Sequence, residues 1–308
     1  MALGSPAAVD YLFTADRALG YLGMATLVGG LFFLAFVWRE GADEKSARRL
    51  LWVAWSVVLA TSVAGISLAG LDRADRVLGP EMWSAALIGD TLESRFGRAW
   101  ASRVILLVPI FPLLMALTMY GRGAVAALWW RLPAAAVGIG LVRTPGFVSN
   151  ATFSEPALLG ATVNLVHLTA LSVWIGGLVM VVACVLPLRR RADVAVVMNR
   201  YSSVAFASVA VAVTTGTMLA WQLVGSWSSL VATPYGQTLV AKVAIVGLLL
   251  AVAQGSRRLV NQRLVPVLSG RSPSGGVKPL VVSVGSEVVL AAAVLSAAAL
   301  LVNIGPPS

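Results

Sequence analysis

Hydrophobic residues fall in long, nearly uncharged runs separated by short polar connections, the pattern of membrane-spanning helices rather than of helices buried on one face. The runs predict an all-α integral membrane bundle of eight transmembrane helices, at 18–38, 50–71, 101–120, 124–147, 158–188, 201–224, 238–253 and 280–302. They form a single transmembrane domain over 1–308 with no room for a separate folded one. Between the second and third runs lies a polar stretch, 72–98, that is bracketed by Asp72, Asp75, Glu81, Asp90 and Glu93. Its apolar portion, Met82 to Ile88, is too short to cross, so it is expected to lie along the external membrane surface. Gly121 to Gly123 reads as a hairpin turn between two antiparallel spans. Gly20, Gly23, Gly29 and Gly30 in the first run, with Gly176 and Gly177 in the fifth, suggest close helix–helix contacts.

Charge sets the orientation. With the N-terminus outside, the inner connections hold fifteen Lys and Arg residues and the outer segments seven. An excess of basic residues marks the cytoplasmic side, so both termini are expected outside. Only 12% of residues are charged against 58% hydrophobic, about half the charged share of a soluble domain. The net charge of +10 therefore speaks for membrane orientation and not for nucleic acid. The N-terminus has no basic region ahead of its first apolar run, so the first span is expected to serve as the targeting signal. The expected location is the bacterial plasma (inner) membrane, with the lipid bilayer as solvent.

Absences narrow the chemistry. There is no Walker loop, no nucleophile elbow, no His-Glu-x-x-His and no Cys-x-x-Cys, so no enzyme activity is expected. One histidine rules out a bis-histidine haem within this subunit, and Cys184, the only cysteine, leaves no disulfide framework. His167 falls about 14 Å into the fifth span at 1.5 Å per residue, near the middle of the membrane. Ionisable residues at that depth face a bundle interior or a water-filled path; a neutral imidazole hydrogen-bonded to a neighbouring helix is the equal alternative. Lys242 and Glu287 are the other charges within spans. They stand about 14 Å apart along the membrane normal, so Lys242 is expected to snorkel outward and Glu287 to need a proton, a partner or water. Methionine sulfur is a soft ligand suited to Cu(I), and Met24, Met115, Met119, Met180 and Met218 lie in spans. For any one methionine, filling an apolar gap is the commoner role.

Three stretches in order resemble the CopD family of bacterial copper-resistance, copper-handling inner-membrane proteins. The first is "VHLTALSVWIGGL", a histidine followed by Trp-x-Gly-Gly (His167, Trp174, Gly176, Gly177). The second is "NRYSSVAFASVAVAVTTG", and the third is "TPYGQTLVAKVAI" with Tyr235, Gly236 and Lys242. Upstream, "RFGRAWASR" (Phe96, Gly97, Trp100, Arg103) is similar to the family's entry to its third helix. The resemblance implies copper transport or copper handling; with copper as Cu(I), His167 is the first ligand candidate, and Met24 and Met218 are candidates because helices one and six could pack against helix five. It also implies a periplasmic copper-binding protein, or a fused module resembling a cytochrome-oxidase copper-insertion factor, as partner. Many relatives carry a Gly-His pair before this helix and an Asp three residues ahead of its histidine. This chain has Asn150 and Asn164 there, neutral amides that are weak metal ligands. The alternative is thus a scaffold or assembly subunit that has lost its metal site and docks a partner.

Overall fold

A computed structural model describes residues 6–74, 78–148, 157–188 and 191–224. The expectations for Asn150, Lys242, Glu287 and the last two spans lie outside the described residues. The chain divides into two units, Met1–Cys184 with Arg200–Leu223 and Val185–Asn199 with Val224–Ser308; the packing below belongs to the first. Every described element is helical: α1 Pro6–Phe32, α2 Lys45–Arg73, α3 Ala85–Glu93, α4 Arg95–Tyr120, α5 Arg122–Ala126, α6 Leu128–Arg143, α7 Ala157–Met180 and α8 Arg191–Val224. Two short π-helical segments, Phe33–Val37 and Val181–Val185, extend α1 and α7. Among the described residues, five stretches are long and apolar enough to cross a membrane: Ala8–Val37, Lys45–Arg73, Arg95–Tyr120, Leu158–Val185 and Val196–Trp221. The protein is a multi-pass helical membrane protein.

Helix α1 is the hub, packed against α2 on one side and α7 on another. Lipid tails are as apolar as leucine, so what drives helices together is close backbone contact. At the α1–α7 crossing, Ala25 and Gly29 face Ser172 and Gly176, two small-residue pairs at i, i+4 spacing. A Cβ added at Gly29 would meet the Ser172 carbonyl and stand 2.8 Å from Gly176 Cα. One added at Gly176 would meet the Ala25 carbonyl. Between α2 and α4 the contact is aromatic instead. Trp55 Nε1 donates to the Leu107 carbonyl at 3.0 Å and Trp52 Nε1 to Thr118 Oγ1 at 3.2 Å, with Phe111 edge-on to both rings.

The first span departs from its expected start. Helix α1 begins at Pro6 and not Ala18, carrying Asp10, Asp16 and Arg17 inside it. These early turns are folded onto neighbours: Val9 packs with Leu71 and Leu87, and Phe13 stands edge-on to Phe96. Hydrophobic run-length reports only the lipid-compatible part of such a helix. Within 72–98, α3 is nine residues long, with Leu87 and Thr91 buried beside Gly70 of α2 and Trp83 exposed just before it. The Ser84 side chain accepts from Leu87 N at 3.3 Å and starts α3, and Ser94 accepts from Gly97 N at 3.0 Å and starts α4.

The fourth span is not one helix over 124–147. It is broken at Ala127, whose extended ψ of 140° separates α5 from α6, and it ends in a 3-10 turn at Thr144–Val148. The turn before it is pinned from outside: Asp43 Oδ1 accepts from Arg122 N at 3.0 Å. Arg48 donates to the Thr118 and Asp43 carbonyls at 2.9 and 3.0 Å. Gly121, at φ 51°, supplies the left-handed residue that ends α4. A π turn leaves carbonyls short of their usual partners, and Ala35 in the π segment accepts from Arg39 Nε and Arg131 Nη2, both at 3.3 Å.

Candidate functional site

His167 sits ten residues into α7, about 15 Å along it, and its ring is turned to α8. Nδ1 lies 2.9 Å from the Ala212 carbonyl and 3.1 Å from Thr215 Oγ1. A carbonyl can only accept, so Nδ1 carries the hydrogen and Nε2 keeps its lone pair. The Thr215 hydroxyl donates back to the Val211 carbonyl at 2.6 Å, which leaves its oxygen free to accept from the ring. Gly216 completes the seat: a Cβ there would stand 3.0 Å from His167 Cε1. This is the arrangement that metal-binding histidines use, with one ring nitrogen held by a carbonyl and the other presented. It also ties α7 to α8, so the hydrogen-bonding and ligand roles read from the sequence are compatible in one ring.

The Trp-x-Gly-Gly stretch has a separate, structural explanation, about two turns further along α7. Gly176 makes the α1 crossing, while Gly177 lies beneath the Tyr201 ring of α8. The Tyr201 hydroxyl donates to the Trp174 carbonyl at 2.6 Å, and its ring stands edge-on to Phe33 with centroids 5.6 Å apart. Three helices thus meet at four consecutive residues of α7. Trp174 contributes through its backbone oxygen.

The methionine candidates fall in different places. Met24 is 4% exposed on α1, next to Ala25 of the α1–α7 crossing. Met218 is 42% exposed and lies off the α8 face formed by Ala212, Thr215, Gly216 and Leu219, which meets α7. Asn164, buried three residues before His167, directs its amide nitrogen toward Gly146 beside the Arg143 guanidinium. It therefore lies at the contact between α7 and the 3-10 turn Thr144–Val148 that follows α6. Among the described residues no three His, Cys, Asp or Glu side chains gather as a metal site.

Sequence reading missed a second polar centre. Asp16 and Arg103 count as outer-segment charges in the hydrophobic pattern, yet they are 9% and 1% exposed. The available signal was the helical spacing of Phe13, Asp16, Arg17 and Gly20, which continues the first span backwards by full turns.

Residues 195–301 match the family described as Copper resistance protein D, CopD. A relative, the Copper transport protein CutJ of Bacillus subtilis (strain 168), is 27% identical over 243 residues, 74% of this chain and 43% of that protein. The chain thus spans less than half the length of the curated relative it matches. No solved structure matches. Over residues 195–301, this chain is similar to the copper resistance protein D family.

Proposed function

We propose that this protein handles Cu(I) at the bacterial inner membrane, with His167 Nε2 as a ligand and copper as cargo. One observation carries the reading: Nδ1 is committed to the Ala212 carbonyl, which fixes the tautomer and leaves Nε2 to a soft cation. Cu(I) accepts low coordination and sulfur donors, so a methionine completes the site without Asn150 or Asn164. Met24, buried on the helix that packs against α7, is the better placed sulfur. The family match and the name of the Bacillus relative support copper over other soft cations. A periplasmic copper-binding protein or a copper-insertion module is the partner this reading calls for. Copper stoichiometry of the purified, detergent-solubilised chain tests it. The parent should retain Cu(I), His167→Ala should lose it with helicity unchanged, and His167→Met should keep part of it. Equal retention in parent and His167→Ala would leave His167 a purely hydrogen-bonding residue. A parent that binds none would favour the scaffold reading, to which the two asparagines already lend weight.

The full topology we propose has eight spans with both termini outside. Its support is the excess of fifteen basic residues on the inner connections over seven on the outer segments. Reporter fusions after residues 195 and 265 should read cytoplasmic, and one after residue 230 external. An external signal at 265, in a loop of five basic residues and no acid, would reverse the orientation.

A further inference from the structure

A polar centre unrelated to His167 is enclosed by α1, α2 and α4. Asp16 of α1 is buried, and among the described residues its Oδ2 has no hydrogen-bond partner. Arg103 of α4 is almost wholly enclosed, and its Nη2 has none either. Arg103 is held elsewhere: Nε donates to Thr144 Oγ1 at 2.9 Å, and the guanidinium lies 4.0 Å from the centroid of Trp100 and 5.7 Å from that of Tyr21. Gly65 of α2 keeps the chamber open, since a Cβ there would stand 2.6 Å from Trp100 Nε1 and 2.8 Å from Asp16 Oδ2. Gly20 borders it too, its Cβ position being 4.0 Å from Arg103 Nη1. The acid therefore stands at the edge of the same indole whose face the base covers.

A buried carboxylate with an unmet lone pair and a buried guanidinium with unmet hydrogens do not rest side by side unpaired without reason. We propose that Asp16 is a proton-exchange site of the bundle, with Arg103 as its movable counter-ion. When Asp16 holds a proton, it is neutral and Arg103 stays on Thr144 and Trp100. When the O–H bond breaks and the proton leaves to water, the carboxylate charge draws the guanidinium off the Trp100 face. The surroundings limit which groups take part. On its own helix the neighbours are Arg17, lying 5.7 Å over Phe13, and Tyr21. Helix α2 has no ionisable residue between Arg49 and Asp72, and from α4 only Arg103 is buried while Arg98 is exposed. Asp90 and Glu93 of α3 are exposed.

Trp100 reports the swing. Tryptophan emission of the full chain, titrated in detergent without copper from about pH 4 to 9, a range that spans ordinary and perturbed carboxyl groups, should show a one-proton transition. Asp16→Asn, which keeps the shape and removes the proton, should abolish that transition, and so should Trp100→Phe, which removes the reporter. A parent with no transition, or a transition that survives in Asp16→Asn, overturns the proposal. If Asp16→Asn does not fold, survival of the transition in Trp100→Phe overturns it equally. Because no copper is present, failure here is separate from failure of the His167 reading.

Discussion

Valine at position 176 is expected to part α1 from α7 and to leave little folded protein. The reason lies in what surrounds Gly176. A Cβ there meets the Ala25 carbonyl and comes within 2.8 Å of Gly29 Cα, so the obstruction is backbone and no side chain can rotate out of the way. Overpacking a well-fitted contact costs about 1–3 kcal/mol and more where nothing yields; total stability is only about 5–15 kcal/mol. Because α1 is the hub of the bundle, the loss is expected at or above the upper end of that range. The readout is the fraction of protein that elutes as a single species in detergent, with its thermal unfolding midpoint. Two substitutions calibrate the result. Gly123→Ala, whose Cβ meets nothing within 4 Å, should be silent. Gly177→Ala, which presses on the Tyr201 ring, should fall between. Parent-like behaviour of Gly176→Val would mean that α1 and α7 do not cross where Gly29 and Gly176 face each other.

The spans that face lipid were legible because their signal is composition over about 20 residues, which survives ignorance of packing. The α1–α7 seam was half legible. Glycines at 29, 30, 176 and 177 advertised a close approach, but small residues do not say which partner they meet. What stayed hidden was whatever depends on a neighbour. Pro6 to Arg17 falls outside the first hydrophobic run until Leu71, Leu87, Phe96 and Arg103 are brought against it. The break at Ala127 comes just after a turn near residue 121 that Asp43 and Arg48 hold, through contacts 79 and 70 positions apart in sequence. The two π segments leave no mark in a hydrophobic run at all. His167 was singled out by type and depth, yet its tautomer became definite only with the Ala212 carbonyl beside it.

Removing the buried cation should have the other large effect, and its dependence on pH separates electrostatics from packing. Arg103→Met keeps most of the volume but deletes the bond to Thr144, the stacking on Trp100 and the counter-charge to Asp16. Leaving one member of a buried charge pair without the other costs about 3–5 kcal/mol. The packing and hydrogen-bond part of the loss is present at every pH. The electrostatic part exists only when Asp16 is ionised, so the deficit of Arg103→Met should widen as pH rises and shrink in acid. Asp16→Asn introduced into Arg103→Met removes the stranded carboxylate and should recover stability at alkaline pH, a coupling that a double-mutant cycle isolates. Chemical or thermal unfolding of the four proteins at an acid and an alkaline pH measures it. If the two substitutions simply add at both pH values, Asp16 and Arg103 do not communicate, and the cluster is a packing feature built from two independent polar residues.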